Sequence, residues 1–212
     1  MTLKKNDFIE VEFVGKIKDG GVFDSNISSE LKKLNPGAEG KPFVYSLGQG
    51  MFLEGIDEYL IGKEIGKHKL ELIPEKAFGK RESSLVKMIP MKVFKEHRLN
   101  PIQGAVLDFD GRMGKILSVS GGRVIVDFNN PLAGKDVIYE INVKRKVDDI
   151  NEKINAFNEF LFRRKLDFEV KGKKLIISVE KEFAKFVEMF KDKFKEVFDL
   201  DLEIKEIEGK KD

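Results

Sequence analysis

Short runs of alternating apolar and polar residues, each cut off by glycine or proline, constrain this chain more than any other feature. Residues 7–17, DFIEVEFVGKI, set Ile9, Val11 and Phe13 against Glu10, Glu12 and Val14, the period of a half-buried strand. Asp19-Gly20-Gly21 turns the chain and Val22-Phe23 resumes it. A short helix is expected over 26–34, ended by Asn35-Pro36-Gly37, and a strand over 42–47, ended by Gly48-Gln49-Gly50. Leu53 to Leu60 reads as a short helix, and 67–73 alternates until Pro74.

From about Lys87 the texture changes. A strand-like piece, Lys87–Phe94, leads through Asn100-Pro101 to three short runs, Ala105–Phe109, Lys115–Val119 and Arg123–Phe128. Gly121-Gly122 between the last two predicts a tight hairpin. A small β-rich unit is therefore expected over 87–128, closed by Asn129-Asn130-Pro131, with one more strand at Asp136–Val143. Beyond residue 148 the period becomes helical. Val147, Ile150, Ile154, Phe157 and Leu161 share one face, and Phe183, Phe186, Phe190, Phe194 and Val197 form the stripe of a second helix. Leu166–Val170, Leu175–Val179 and Leu200–Ile204 alternate as strands. The fold class is α+β, and 149–212 forms a compact αββαβ module whose helices cover one sheet face.

Composition excludes several chemistries. With no cysteine and two histidines among 212 residues, disulfides, thiolate catalysis and cysteine metal sites are out, and a histidine metal centre or triad is not expected. The chain carries 39 basic and 37 acidic residues, of which the last 64 residues hold 15 and 16, so neither part has a nucleic-acid footprint. Lys144-Arg145-Lys146, the densest basic run, reads as a solvated strand end. No apolar run approaches the roughly 20 residues of a bilayer span, and the N-terminus has no h-region, so a cytoplasmic protein without membrane contact is expected. Gly48-Gln49-Gly50 is not followed by Lys-Ser/Thr, and no nucleophile elbow is present.

What remains is the chemistry of an apolar pocket. The runs VEFVGKIKDGGVFDSN (11–26), KPFVYSLGQGMFLEGID (41–57) and LIPEKAFGK (72–80) resemble the FKBP family in order and spacing. NNPLAGKDVIYEINV (129–143) is similar to the return strand of the SlyD-type members, where the domain closes after an inserted flap domain. The resemblance covers about residues 1–148, and the last 64 residues resemble the long archaeal FKBP branch. It implies an FKBP-type antiparallel half-barrel sheet around a short helix, built from 1–86 and 129–148 and interrupted by the insert at 87–128. It also implies a peptidyl-prolyl cis-trans isomerase that needs no cofactor or metal.

Carried over by position, the resemblance places Phe23, Asp24, Phe78 and Tyr139 in the catalytic group. It places Phe13, Phe43, Phe52, Leu53 and Ile56 around the substrate. Taken singly, each aromatic reads as core packing, and Asp24 as a turn cap. Together they match one family cleft. Such a cleft needs no nucleophile: rotation about an X-Pro bond meets a barrier of about 18–20 kcal/mol because it breaks amide resonance. An apolar site solvates the charge-separated planar amide poorly and so favours the twisted state. The proline ring is expected on Ile56, Phe43 and Phe78, with Asp24 near the imide carbonyl carbon and the 52–53 backbone amides on a flanking carbonyl. Three positions depart from the family pattern. Phe13 and Phe78 stand where many members have Tyr, and Ile56 replaces a Trp floor, so modest activity on short peptides and weak macrolide binding are expected.

The resemblance further implies that the insert binds unfolded chains. Met88, Ile89, Met91, Val93, Phe94 and Met113 supply adaptable apolar side chains for this, though many must also build the insert's own small core. The expected partners are unfolded or partly folded polypeptides containing X-Pro bonds. The Phe stripe, Met189 and Phe198 leave open packing on the C-terminal module's own sheet or a subunit contact in a homodimer.

Overall fold

The computed structural model describes residues 2–207. The strands of the first half are β1 (Phe8–Ile17), β2 (Val22–Ser25), β3 (Phe43–Ser46) and β4 (Gly66–Leu72), with helices α1 (Ser28–Leu34) and α2 (Glu54–Leu60) between them. Next come β5 (Val86–Pro90), α3 (Met91–Glu96), β6 (Val106–Phe109), β7 (Arg112–Ser120) and β8 (Arg123–Asp127), and then β9 (Val137–Lys146). The described residues close with α4 (Ile150–Phe162), β10 (Asp167–Lys171), β11 (Lys174–Glu180), α5 (Lys181–Glu188), α6 (Lys191–Phe198) and β12 (Asp201–Ile207). The main sheet has the order β2-β1-β9-β4, with β3 also pairing β1. The other sheets are β5-β8-β7-β6 and β10-β11-β12. Among the described residues no helix is long and apolar enough to cross a membrane.

The chain divides into two compact units, Met1–Phe13 with Asn26–His68 and Ile141–Asp212, and Val14–Ser25 with Lys69–Glu140. In the first, Ile9 and Val11 of β1 are fully buried while Glu10 and Glu12 on its other face stay half-buried. Antiparallel pairing sets Phe8 opposite Ser46 and Val11 opposite Phe43. Helix α4 packs on β3. Its N-cap Asp149 accepts the Glu152 N–H at 2.7 Å, satisfying a donor that the first turn leaves unpaired. The predicted face is shifted: Ile154, Phe157, Asn158 and Phe162 are buried, whereas Ile150 is exposed. Phe8 stacks on Phe198 at 5.4 Å and meets Phe157 edge-on at 6.4 Å, so the C-terminal module shares its apolar core with β1.

The single second helix expected from the Phe stripe is two helices, and the module is αββααβ. The break falls at Met189-Phe190, which contains no glycine or proline. Phe162 lies 5.8, 6.0, 5.3 and 6.4 Å from Phe183, Phe186, Phe190 and Phe194, so one buried ring gathers side chains from both segments. The module's sheet is mixed, antiparallel at β10–β11 and parallel at β11–β12. The basic run at the end of β9 is neutralised. Lys144 pairs with Glu12 (3.3 Å), Arg145 with Glu10 (2.7 Å) and Glu152, and Lys146 with Asp7 (2.7 Å).

In the second unit the insert closes around Phe94, Ile116, Val124 and Val126, flanked by Ile89, Met91, Ala105, Leu107, Phe109 and Phe128. Gly121 and Gly122 both have positive φ (56° and 77°) between the paired Ser120 and Arg123, the geometry a two-residue hairpin requires. The expected strand over Lys87–Phe94 ends early. Pro90 finishes β5, having no N–H for the ladder, and Met91–Glu96 turns into a helix that drops Phe94 into the core.

Candidate active site

Strand β2 lies antiparallel to β1 with Gly15 opposite Asp24, and a register shift follows between Gly15 and Lys16. Gly15 makes room for an aromatic group. A Cβ there would stand 2.9 Å from Phe23 Cζ and 3.1 Å from Tyr139 Cε1. In that space Phe23 meets Phe78 edge-on at 5.5 Å and Tyr139 edge-on at 5.8 Å, the arrangement ring quadrupoles favour. Phe78 follows a 3-10 turn at Pro74–Lys76, where the Gly79 N–H donates to the Pro74 carbonyl at 2.7 Å and the Gly134 N–H to the Gly79 carbonyl at 2.8 Å.

Asp24 follows Phe23 in β2 and is exposed as a residue, although its carboxyl is partly desolvated. Desolvation by its surroundings raises its pKa, while the Ser25 N–H pulls it down. Tyr139 is buried, and its phenol is held above the ordinary tyrosine range, first by desolvation and then by the Asp24 charge. It stays protonated at neutral pH. The phenol thus lies within the electrostatic field of Asp24, a hydroxyl supplied from β9 and not from the Phe13 position of β1.

The remaining predicted residues gather in the first unit. Phe13, Phe43 and Phe52 form a triangle with ring separations of 5.9, 4.9 and 5.3 Å. Tyr45 extends it, stacked on Phe43 at 5.1 Å and edge-on to Phe52 at 5.5 Å. Leu53 is the N-cap of α2 and accepts the Ile56 N–H at 2.9 Å. Ile56 is fully buried in that helix. Asn26 ties the strands that carry the rings. It accepts the Phe13 N–H at 2.7 Å and donates to the carbonyls of Val11 (2.8 Å) and Lys41 (3.1 Å).

Sequence reasoning missed Asn26, Gly15, Gln49 and Asp57. Asn26 offered only a polar residue after Phe-Asp-Ser, and Asp57 was one of three acids in the run 54–60. Asp57 is buried, with Oδ2 accepting the Gly48 N–H at 2.9 Å, and burial lifts its pKa to about 6. The insert's candidates divide. Met88, Met113 and Val93 are exposed, Ile89 and Met91 are half-buried, and Phe94 is 1% exposed. Phe94 is thus a core residue, whose ring a client reaches only if the insert opens. Among the described residues no group of three His, Asp or Glu side chains is placed to hold a metal.

An antiparallel sheet interrupted by a separate four-stranded insert, with aromatic rings beside a short helix, is the architecture the sequence motifs implied. Residues 87–132 match the family model described as FKBP26, IF domain. The chain is 34% identical over 146 residues to the short-type peptidyl-prolyl cis-trans isomerase of Methanocaldococcus jannaschii, covering 67% of this chain and 92% of that one. It is 30% identical over 148 residues to the FKBP-type 16 kDa peptidyl-prolyl cis-trans isomerase of Escherichia coli K12, with the same coverage. It is also 27% identical over 146 residues to the FKBP-type isomerase SlyD of Helicobacter pylori, covering 67% and 72%. The chain belongs to the FKBP-type peptidyl-prolyl cis-trans isomerases with an insert-in-flap domain.

Proposed function

We propose that this isomerase acts on X-Pro bonds of folding polypeptides, with the insert holding unfolded segments near the reaction. The observation that carries the catalytic part is the Phe23, Phe78 and Tyr139 group, with Asp24 next to Phe23 and its charge felt by Tyr139. A planar X-Pro amide loses water against such rings without gaining comparable polar partners, whereas the twisted, less charge-separated state loses less. In this reading Asp24 opposes the planar imide dipole. Tyr139 adds its ring to the apolar wall beside Phe23. Phe13, Phe43, Phe52, Leu53 and Ile56 receive the proline ring and its neighbours. Exposure of Met88 (58%) and Met113 (57%) supports the client-binding part, because unpacked thioether side chains adapt to many apolar sequences. A second copy of the chain is the occupant we propose for the exposed Phe186 and Met189 of the C-terminal module. The absence of cysteine fits a reducing, cytoplasmic setting.

Two assays in parallel test the reading: a short X-Pro peptide, and refolding of a protein limited by prolyl isomerisation. Asp24→Ala is expected to lower both rates. Met88→Ser with Met113→Ser is expected to lower only the refolding rate. Parental activity in Asp24→Ala removes the catalytic assignment. Background activity in both assays, with aggregation still suppressed, leaves a holdase.

A further inference from the structure

The loop that leads from β3 into α2 is held from an unexpected direction. Gly48 and Gly50 have positive φ (75° and 69°), so the loop backbone has wide conformational freedom and its tethers decide how tightly it is placed. Gly48 donates to Asp57, and the Leu47 carbonyl accepts the Asn6 N–H at 2.9 Å. Between the two glycines, Gln49 is 6% exposed, which is unusual for a polar side chain at a loop tip. Its Nε2 donates to Asn6 Oδ1 at 2.6 Å and to Glu196 Oε1 at 3.2 Å, a partner 147 residues away on α6. Both amide protons are thereby used, and the Gln49 Oε1 is buried without a partner. The burial of this side chain therefore depends on its two acceptors.

Glu196 is carried by an anchored helix. Helix α6 is anchored on both sides of it, by Phe194 against Phe157 at 5.3 Å and by Phe198 stacked on Phe8. The Glu196 carboxyl is held below its ordinary pKa, first by the Gln49 hydrogen bond and then by Lys193 at 3.3 Å. Three residues beyond Gln49 the same loop presents Phe52 and Leu53.

We propose that the C-terminal module is a positioning element of the isomerase: Glu196, through the buried Gln49 amide, sets the 48–53 loop that presents Phe52 and Leu53. Glu196 and Gln49 are positioning residues, with no contact to the reacting bond. The proposal rests on Phe52 and Leu53 touching substrate, as set out under the proposed function. It gives the module a task within one chain, independent of any second copy.

The test uses the full chain and a short X-Pro peptide. Glu196→Ala and Gln49→Ala are each expected to raise KM by about three- to tenfold, the range of one hydrogen bond, with kcat within about twofold. The double variant is expected to be no worse than either single one, because both remove the same link. Glu196→Gln keeps an Oε1 acceptor and is expected to restore KM toward the parental value. Glu188→Ala, which removes an ion pair to Lys191 in the same module, leaves KM unchanged. Hydrogen exchange of the 48–53 amides is expected to quicken in Glu196→Ala while the core of the module stays protected. Parental KM and loop exchange in Glu196→Ala, or additive effects in the double variant, overturn the proposal. Phe52→Ala separates the two readings. If it raises KM and Glu196→Ala does not, the substrate assignment stands and the positioning role falls. If Phe52→Ala leaves KM unchanged, the substrate assignment itself fails and takes the proposal with it.

Discussion

Replacing Asp57 by Asn isolates the energetic weight of one buried acid in helix α2. Asp57 is 4% exposed, its Oδ2 accepts the Gly48 N–H, and its Oδ1 has no partner among the described residues. Burial raises its pKa from 3.8 to about 6 against the opposing pull of that N–H. The folded state therefore binds this proton more tightly than the unfolded chain. The stabilising contribution of the neutral form is fully present below about pH 3.8 and is lost as pH rises through about 6. At about 1.4 kcal/mol for each tenfold change in proton affinity, the ionised form costs the fold about 3 kcal/mol at pH 7.5. Asn keeps an acceptor for Gly48 and has no proton to lose. Urea unfolding of parent and Asp57→Asn should give a stability difference that moves in favour of the variant by about 2–3 kcal/mol between pH 4 and pH 7.5. It should level off above pH 7. A difference that stays flat across that range refutes burial as the force acting on Asp57.

Gly15→Ala drives a methyl into the Phe23 and Tyr139 rings. It is expected to cost about 1–3 kcal/mol, weaken the near-UV signal of Tyr139 and lower peptide isomerisation, while Gly21→Ala, with open space around it, leaves all three unchanged. Met189, 78% exposed beside Phe186, is the probe for self-association. Light scattering is expected to show a dimer for the parent and a monomer for Met189→Glu, and a parental monomer at every concentration removes the second copy as occupant.

Period-2 alternation and turn chemistry are local, so β1, the Gly121-Gly122 hairpin and the three strands of the C-terminal module were legible to within a few residues at their ends. The candidate site residues were named only as a set carried over from a family resemblance, since Phe13, Phe43 and Phe52 look individually like any core aromatics. Two elements misled. Lys87–Phe94 looked like one strand because Met91, Val93 and Phe94 suit a strand as well as a helix, and the Pro90 boundary was decided by where Phe94 could be buried. The Phe stripe after residue 181 looked like one helix because nothing in Met189-Phe190 breaks a helix locally. The break follows from packing around Phe162, a residue in another element.

The sequence by itself determined most of the strands and the turns that end them. All of these follow from hydrophobic period and turn residues within a few positions of each other. Only the tertiary structure decided that Gly15 clears the space in which Phe23 and Tyr139 meet. It alone brought the Tyr139 phenol into the field of Asp24, and it alone set Glu196 within reach of Gln49. Each of these joins residues far apart along the chain. No local pattern encodes such a pairing, because burial and hydrogen-bond satisfaction are settled only when separate elements close on one another.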